Sequence, residues 1–305
     1  MSETLSILRR KIRNAHDLHA VVRTMKAMSA ASIGPYERAV AALVDYARTV
    51  ELGLVAGLRH TPAAAAPARA AAQRIGAIVF GTDQGMVGQF NEHLAEHVTA
   101  TLSSHAERAS VWVVGERMQG RLQDAGFEVA GIFQTPNSVA GITPLISELL
   151  ISIERHRERV GLDEVHLFHN RPRRRATYDA VNERILPLDA QWRHTIEATP
   201  WPTRALPGII AGSPTTLDAL IREYLFVSLF RACAESLAAE NARRFAAMQG
   251  AEKNIDERLS ALTLNYNRQR QAAIDEELFD LIAGYEVLRR EVGTAGTTAR
   301  HPTRF

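Results

Sequence analysis

His93, Glu96 and His97 hold two imidazoles one helical turn apart beside a carboxylate, the H-x-x-E-H spacing of one class of zinc hydrolase. Zinc needs a further protein ligand, and no recognisable spacing supplies one, so a solvated helix face is the competing reading. Gly81, Gly85 and Gly88 follow an apolar run but match neither G-x-G-x-x-G nor G-x-x-x-x-G-K-[ST]. A loop approached closely by a partner is expected there ahead of a nucleotide cradle. Arg171-Pro-Arg-Arg-Arg175 is a basic cluster behind a strand-like run, suited to a solvated loop or to contact with acidic groups. Cys233, the single cysteine, excludes an internal disulfide and falls in an apolar stretch that suits a structural thiol. No nucleophile–base pair or cofactor fingerprint is visible, and no cofactor is expected.

The elements that would position these residues are of two kinds. Leu5, Leu8, Ile12, Ala15, His19 and Val22 alternate three and four apart, as do Tyr36, Val40, Leu43, Ala47, Val50, Leu54 and Leu58. Such spacing is a helical seam. Gly34-Pro35 lies between the two runs and predicts a kink, because proline removes one helical hydrogen bond. At the other end, Thr215 to His301 lacks proline and predicts one helix from Leu217 to about Leu288. At about 1.5 Å per residue it would extend roughly 100 Å, so its apolar stripe needs the first sixty residues as a partner. Ile255, Leu259, Leu262 and Tyr266 carry the rhythm, and Ile274, Leu278, Leu281, Tyr285 and Leu288 resume it one register later. Arg270 and Gln271 fill the gap, where polar residues suit contact with something outside the pair.

Between the ends the periodicity changes. Residues 61–74 are an alanine- and proline-rich linker. Apolar runs at 75–80, 111–114, 129–133 and 165–168 predict strands, with helices expected at 91–108, 116–125, 143–160 and 176–186. Alternation of this kind argues for a parallel α/β sheet. The resulting plan is a helix at 1–60, a linker at 61–74, an α/β domain at 75–213, a second helix at 214–290 and a disordered tail at 291–305. Lys and Arg total 36 against 34 Asp and Glu, which argues against a nucleic-acid-coating surface. No apolar run reaches the roughly 18 residues of a membrane span, so a soluble cytoplasmic protein is expected.

Four blocks of sequence, in order, resemble the gamma subunit of F-type ATP synthase. Ser236-Leu-Ala-Ala-Glu-Asn-Ala-Arg-Arg-Phe-Ala-Ala-Met248 is similar to that family's SLASENAARMVAM pattern. Leu262-Thr-Leu-Asn-Tyr-Asn-Arg-Gln-Arg-Gln-Ala-Ala-Ile274 resembles LxLxYNKARQAxIT. Ile7 to Arg13 and Thr24 to Ala31 resemble the IRxRI and KAMxMVAAxK motifs, and Thr82 to Asn91 the SDRGLCGGFN loop. Gln84, Val87, Ser32, Gly34-Pro35 and Asp275 depart from the usual residues and mark a divergent member.

The resemblance implies an α+α/β fold, with the terminal helices paired as a long antiparallel coiled coil above a Rossmann-like domain. It implies a non-catalytic rotor that couples ion-driven rotation of the membrane c-ring to the alpha and beta subunits of the catalytic hexamer. Met25, Lys26, Arg270, Gln271, Asp275 and Glu277 become the expected hexamer contacts. Arg171, Arg173, Arg174 and Arg175 become the expected contacts of the foot with the epsilon subunit and c-ring. A peripheral position on the cytoplasmic face of a bacterial inner membrane follows, with no span of its own and no nucleic-acid partner. Three other readings are weighed against this one: a zinc-dependent hydrolase built on His93, Glu96 and His97, an α/β enzyme with a coiled-coil dimerisation arm, and a free-standing coiled-coil adaptor.

Overall fold

The computed structural model describes residues 2–59, 74–188, 190–205 and 213–295, so the linker expected at 61–74 and the last ten tail residues lie almost wholly outside it. Helix α1 runs Ser2–Arg59 and the last helix, α6, runs Ser213–Ala295. Pro35 sits inside α1 without ending it, and α6 carries on into the first residues of the stretch expected to be tail. Between them come β1 (Ile75–Phe80), α2 (Phe90–Leu102), β2 (Ala109–Val114), α3 (Glu116–Asp124), β3 (Glu128–Phe133) and α4 (Ile142–Val160). β4 (Glu164–Pro172), β5 (Tyr178–Leu186) and α5 (Ala190–Glu197) complete the order. None of the described helices is long and apolar enough to cross a membrane.

The chain divides into two compact units: residues 25–248, and residues 2–24 together with 249–295. In the larger unit the five strands form one sheet in the order β3-β2-β1-β4-β5. β1, β2, β3 and β4 are mutually parallel, and β5 returns antiparallel to β4. Two sequence expectations are corrected here. The sheet is mixed, and the stretch 176–186 expected as a helix instead holds an edge strand from Tyr178 to Leu186. That strand shows no apolar alternation because its polar side chains are paired across the edge: Asp179 with Arg173, Glu183 with Arg171, and Arg184 with Glu164. α5, also unforeseen, follows it.

Alternation along the central strands sorts the core into two layers. Ile75, Ala77 and Val79 of β1 join Val111 and Val113 of β2 against Leu94 and Val98 of α2 and Met118 and Leu122 of α3. Ile78 and Phe80 face the other way with Trp112 and Val114. There they meet Ile142, Ile146 and Leu149 of α4, Leu229, Cys233 and Leu237 of α6, and Tyr36 of α1. Burial pushes the Cys233 thiol well above its usual range and the Tyr36 phenol up to about 12.

α1 and α6 run antiparallel within this unit. Tyr46 donates to Glu223 at 2.7 Å, and Gly53 and Gly57 lie against Leu220 and Leu217. A Cβ at Gly53 would stand 2.8 Å from Leu220 Cδ2, so the absent side chain sets how closely the helices approach. Gly53→Val should therefore lower the unfolding free energy by about 1–3 kcal/mol through overpacking, measurable by urea denaturation.

The core also carries an acid sensitivity. His156 is buried, edge-on to Trp112 at 5.1 Å between ring centres. Burial, then the nearby Arg159 charge, holds its imidazole below the usual histidine range. The unfolded chain thus takes up this proton more readily than the folded one, and the contribution of a neutral His156 is lost as pH falls below about 6.5. Stability should drop from pH 7 to pH 5, and His156→Leu should flatten part of that drop.

In the smaller unit α1 and α6 are again antiparallel. Arg9 donates to the Tyr266 hydroxyl at 2.7 Å, and His19 Nε2 lies 3.3 Å from Asp256. The residue numbers of both pairs total 275, which sets Ser2 level with residue 273. Leu8 and Val22 of the expected seam are buried, and Leu5, Ile12, Ala15, His19, Ile255, Leu259, Leu262 and Tyr266 are partly covered. The antiparallel coiled-coil expectation holds within this unit.

Candidate partner-binding surfaces

The larger unit contains a place where doubly wound sheets commonly bind ligands: the C-terminal ends of β1 and β4, where the strand order reverses. Here α6 fills it. Ser236 Oγ donates to the Phe80 carbonyl at 3.1 Å, and Ala239 packs with Val87, Phe90 and Tyr178. Arg244, itself buried, donates to Glu240 at 2.5 Å and reaches the Gln84 carbonyl at 3.5 Å. The glycine-bearing loop after β1 is thus approached closely by a helix of its own chain, which leaves no room for a dinucleotide. Asp83 ties its base to neighbouring strand ends, accepting from the backbone N–H groups of Glu116 and Thr135 at 2.8 and 2.7 Å and from Thr135 Oγ1 at 2.7 Å.

The zinc arrangement does not assemble. His93 faces the Tyr178 hydroxyl at 3.3 Å, His97 packs edge-on to Phe168, and Glu96 is exposed. Among the described residues no three His, Cys, Asp or Glu side chains converge.

The basic cluster is divided by the β4–β5 turn. Arg171 is drawn into an ionic chain that sequence reasoning missed. Its Nε donates to Glu235 Oε2 at 3.0 Å and its Nη2 to Glu183 at 2.5 Å. Arg231 donates to the other Glu183 oxygen at 2.8 Å, and fully buried His169 donates Nε2–H to Glu235 at 2.8 Å. Burial opposes a charge on Glu235, yet His169 and Arg171 together hold its carboxyl below the usual range. This chain fastens α6 to the two outermost strands on that side. Arg173 pairs with Asp179, and Arg174 is exposed in the turn. Arg175 has no described side chain.

Met25 and Lys26 are half-buried on α1 in the larger unit, and the Met25 carbonyl accepts from Ser29 at 2.9 Å. Arg270, Gln271, Asp275 and Glu277 are all exposed on α6 in the smaller unit. By the register above, Arg270 stands level with Leu5, while Asp275 and Glu277 lie past Ser2. Around and beyond them Ile274, Leu278, Phe279, Leu281, Ile282 and Tyr285 are 49–73% exposed. The resumed apolar rhythm read in the sequence is therefore real but uncovered among the described residues. Asp275, Glu276, Glu277, Asp280 and Glu286 share the same stretch. An exposed helix with this much apolar surface is characteristic of a binding segment.

A family model described as ATP synthase matches residues 4–288. The ATP synthase gamma chain of Mycolicibacterium smegmatis is 25% identical, over 94% of this chain and 99% of that protein. The ATP synthase gamma chain of Salinibacter ruber is 29% identical, over 92% and 97% respectively. A chain in the structure of the Euglena gracilis mitochondrial ATP synthase, OSCP/F1/c-ring, rotational state 3, superposes with a TM-score of 0.63 at 17% identity, covering 100% of each chain.

Proposed function

This chain belongs to the ATP synthase gamma-chain family, and we propose that it is the central-stalk rotor of a rotary ATP synthase. It is a non-catalytic subunit. The observation that carries the mechanical reading is the uncovered end of α6, where Arg270 and Gln271 precede six exposed apolar side chains. A ring of three alpha and three beta subunits supplies the concave surface such a helix needs. The expected hexamer contacts are Met25, Lys26, Arg270, Gln271, Asp275 and Glu277. A guanidinium at 270 suits a beta carboxylate, and a polarisable methionine at 25 suits a sliding contact.

The mechanism follows from asymmetry. Three chemically identical beta sites can differ only if something inside the ring touches each differently. A partner shifts a conformational equilibrium only by its differential affinity for the states, so turning the shaft moves each site in sequence. The larger unit serves as the foot. Arg173 and Arg174 are the exposed part of its basic cluster, with Arg175 beside them in sequence, and they suit acidic groups on the epsilon subunit or the c-ring polar loops. Arg171 contributes there by holding β4, β5 and α6 together. The protein then works as a peripheral subunit at the cytoplasmic face of a bacterial inner membrane.

Reconstitution with the alpha and beta chains of the same organism tests this role. ATPase activity should rise when the subunit is added, and Arg270→Ala should impair assembly or coupled turnover with unchanged helical content. Wild-type coupling in that variant would remove Arg270 from the contact set, and failure to associate with the hexamer would remove the rotor role.

A further inference from the structure

We propose that the loop after β1, together with Arg117, Arg243 and Arg244, forms a binding site for a small phosphate-type oxyanion. Three guanidinium groups bracket residues 84–88. A Cβ at Gly85 would stand 3.2 Å from Arg117 Cζ, and one at Gly88 2.8 Å from Arg243 Nη2. Arg244 Nη2 reaches the Gln84 carbonyl at 3.5 Å. Gly88 has a φ of 65°, which favours glycine and keeps the backbone open to this approach.

The charges do not cancel locally. Glu240 neutralises Arg244, and Asp83 is engaged by backbone N–H groups and Thr135. Among the described residues neither Arg117 nor Arg243 has a carboxylate partner; Arg243 lies over the Tyr178 ring at 5.9 Å. The Nε groups of Arg243 and Arg244 are buried and meet no acceptor, and Arg244 as a residue is only 7% exposed. Buried donors of a charged group left unmet are costly, and they add to the uncompensated positive charge beside the loop. The loop itself is open, since Gln84, Met86, Gly88 and Gln89 are exposed, as is Arg117. α6 packs into the crevice behind the loop, which leaves the open loop face to a small oxyanion and no cleft for a nucleoside.

Calorimetric titration of the full chain with inorganic phosphate, at ionic strength held constant with chloride, tests the site. Saturable binding is expected, with sulfate competing. Arg117→Gln and Arg243→Gln should each weaken it by about tenfold or more, while Arg155→Gln, exposed on α4, should leave it unchanged. Arg117 is exposed, so its variant tests the site without disturbing the core. Absence of saturable heat, binding unaltered in both variants, or binding of ATP without binding of phosphate would each overturn the proposal.

Discussion

Ending the chain at Ala273 should leave the isolated protein folded and weaken its association with the alpha–beta hexamer by at least about tenfold. The removed residues bring Ile274, Leu278, Phe279, Leu281, Ile282 and Tyr285, and none of them is buried within the chain. Their loss therefore costs the folded monomer little beyond helix ends. Fully covering a large apolar side chain contributes about 1.5–3 kcal/mol, and association recovers only part of the total because ordering and desolvation oppose it. Even one such side chain covered by a partner accounts for a tenfold change. Circular dichroism and urea unfolding of the truncated protein, alongside co-purification with alpha and beta, separate the two effects. Equal loss of monomer stability and hexamer affinity would mean that the end of α6 supports its own chain and does not serve a partner.

Replacing Glu235 with alanine should destabilise the larger unit by about 2–4 kcal/mol. Removing one member of a buried ionic cluster leaves the others without a partner. His169 is fully buried and loses its acceptor, while the partly exposed Arg171 can recover water, which keeps the effect below the largest such losses. Glu235→Gln should cost less, since the amide oxygen still accepts from His169. The sign with pH is opposite in origin to that of an isolated buried acid. The folded-state carboxyl lies below its usual value, so the stabilisation is present above about pH 4.5 and disappears as pH falls through the folded value. Urea unfolding of the three proteins at pH 7 and pH 4 measures both. An alanine variant as stable as wild type would show that the cluster does not anchor α6 to β4 and β5.

The two terminal helices, α2 to α4 and the central strands were legible because each carries a strong apolar pattern. Leu8 and Val22, or Leu94 and Val98, recur at helical spacing with polar residues between them. Ile75 to Phe80 is apolar on both faces, as a central strand covered by helices must be. β5 was misread because a half-buried edge strand satisfies its polar groups sideways. Glu183 and Asp179 are held by Arg171, Arg231 and Arg173, and none of those partners is visible from local spacing.

The same limit hid the ionic chain through Glu235, whose bonded pairs lie 12 to 66 positions apart. Exposure of the α6 end was half visible. The sequence showed the seam continuing past Arg270, and only the antiparallel register revealed that α1 does not accompany it. The Arg171 to Arg175 run looked like one patch, yet a single turn sends Arg171 inward to Glu235 while Arg174 stays in solvent.

The most direct test watches the subunit turn. With the alpha–beta hexamer fixed to a surface and a probe attached to Arg174→Cys in the exposed β4–β5 turn, ATP should drive unidirectional rotation in steps of one third of a turn, set by the threefold ring. A labelled subunit that assembles yet stays still while ATP is hydrolysed at the full rate would contradict the rotor mechanism.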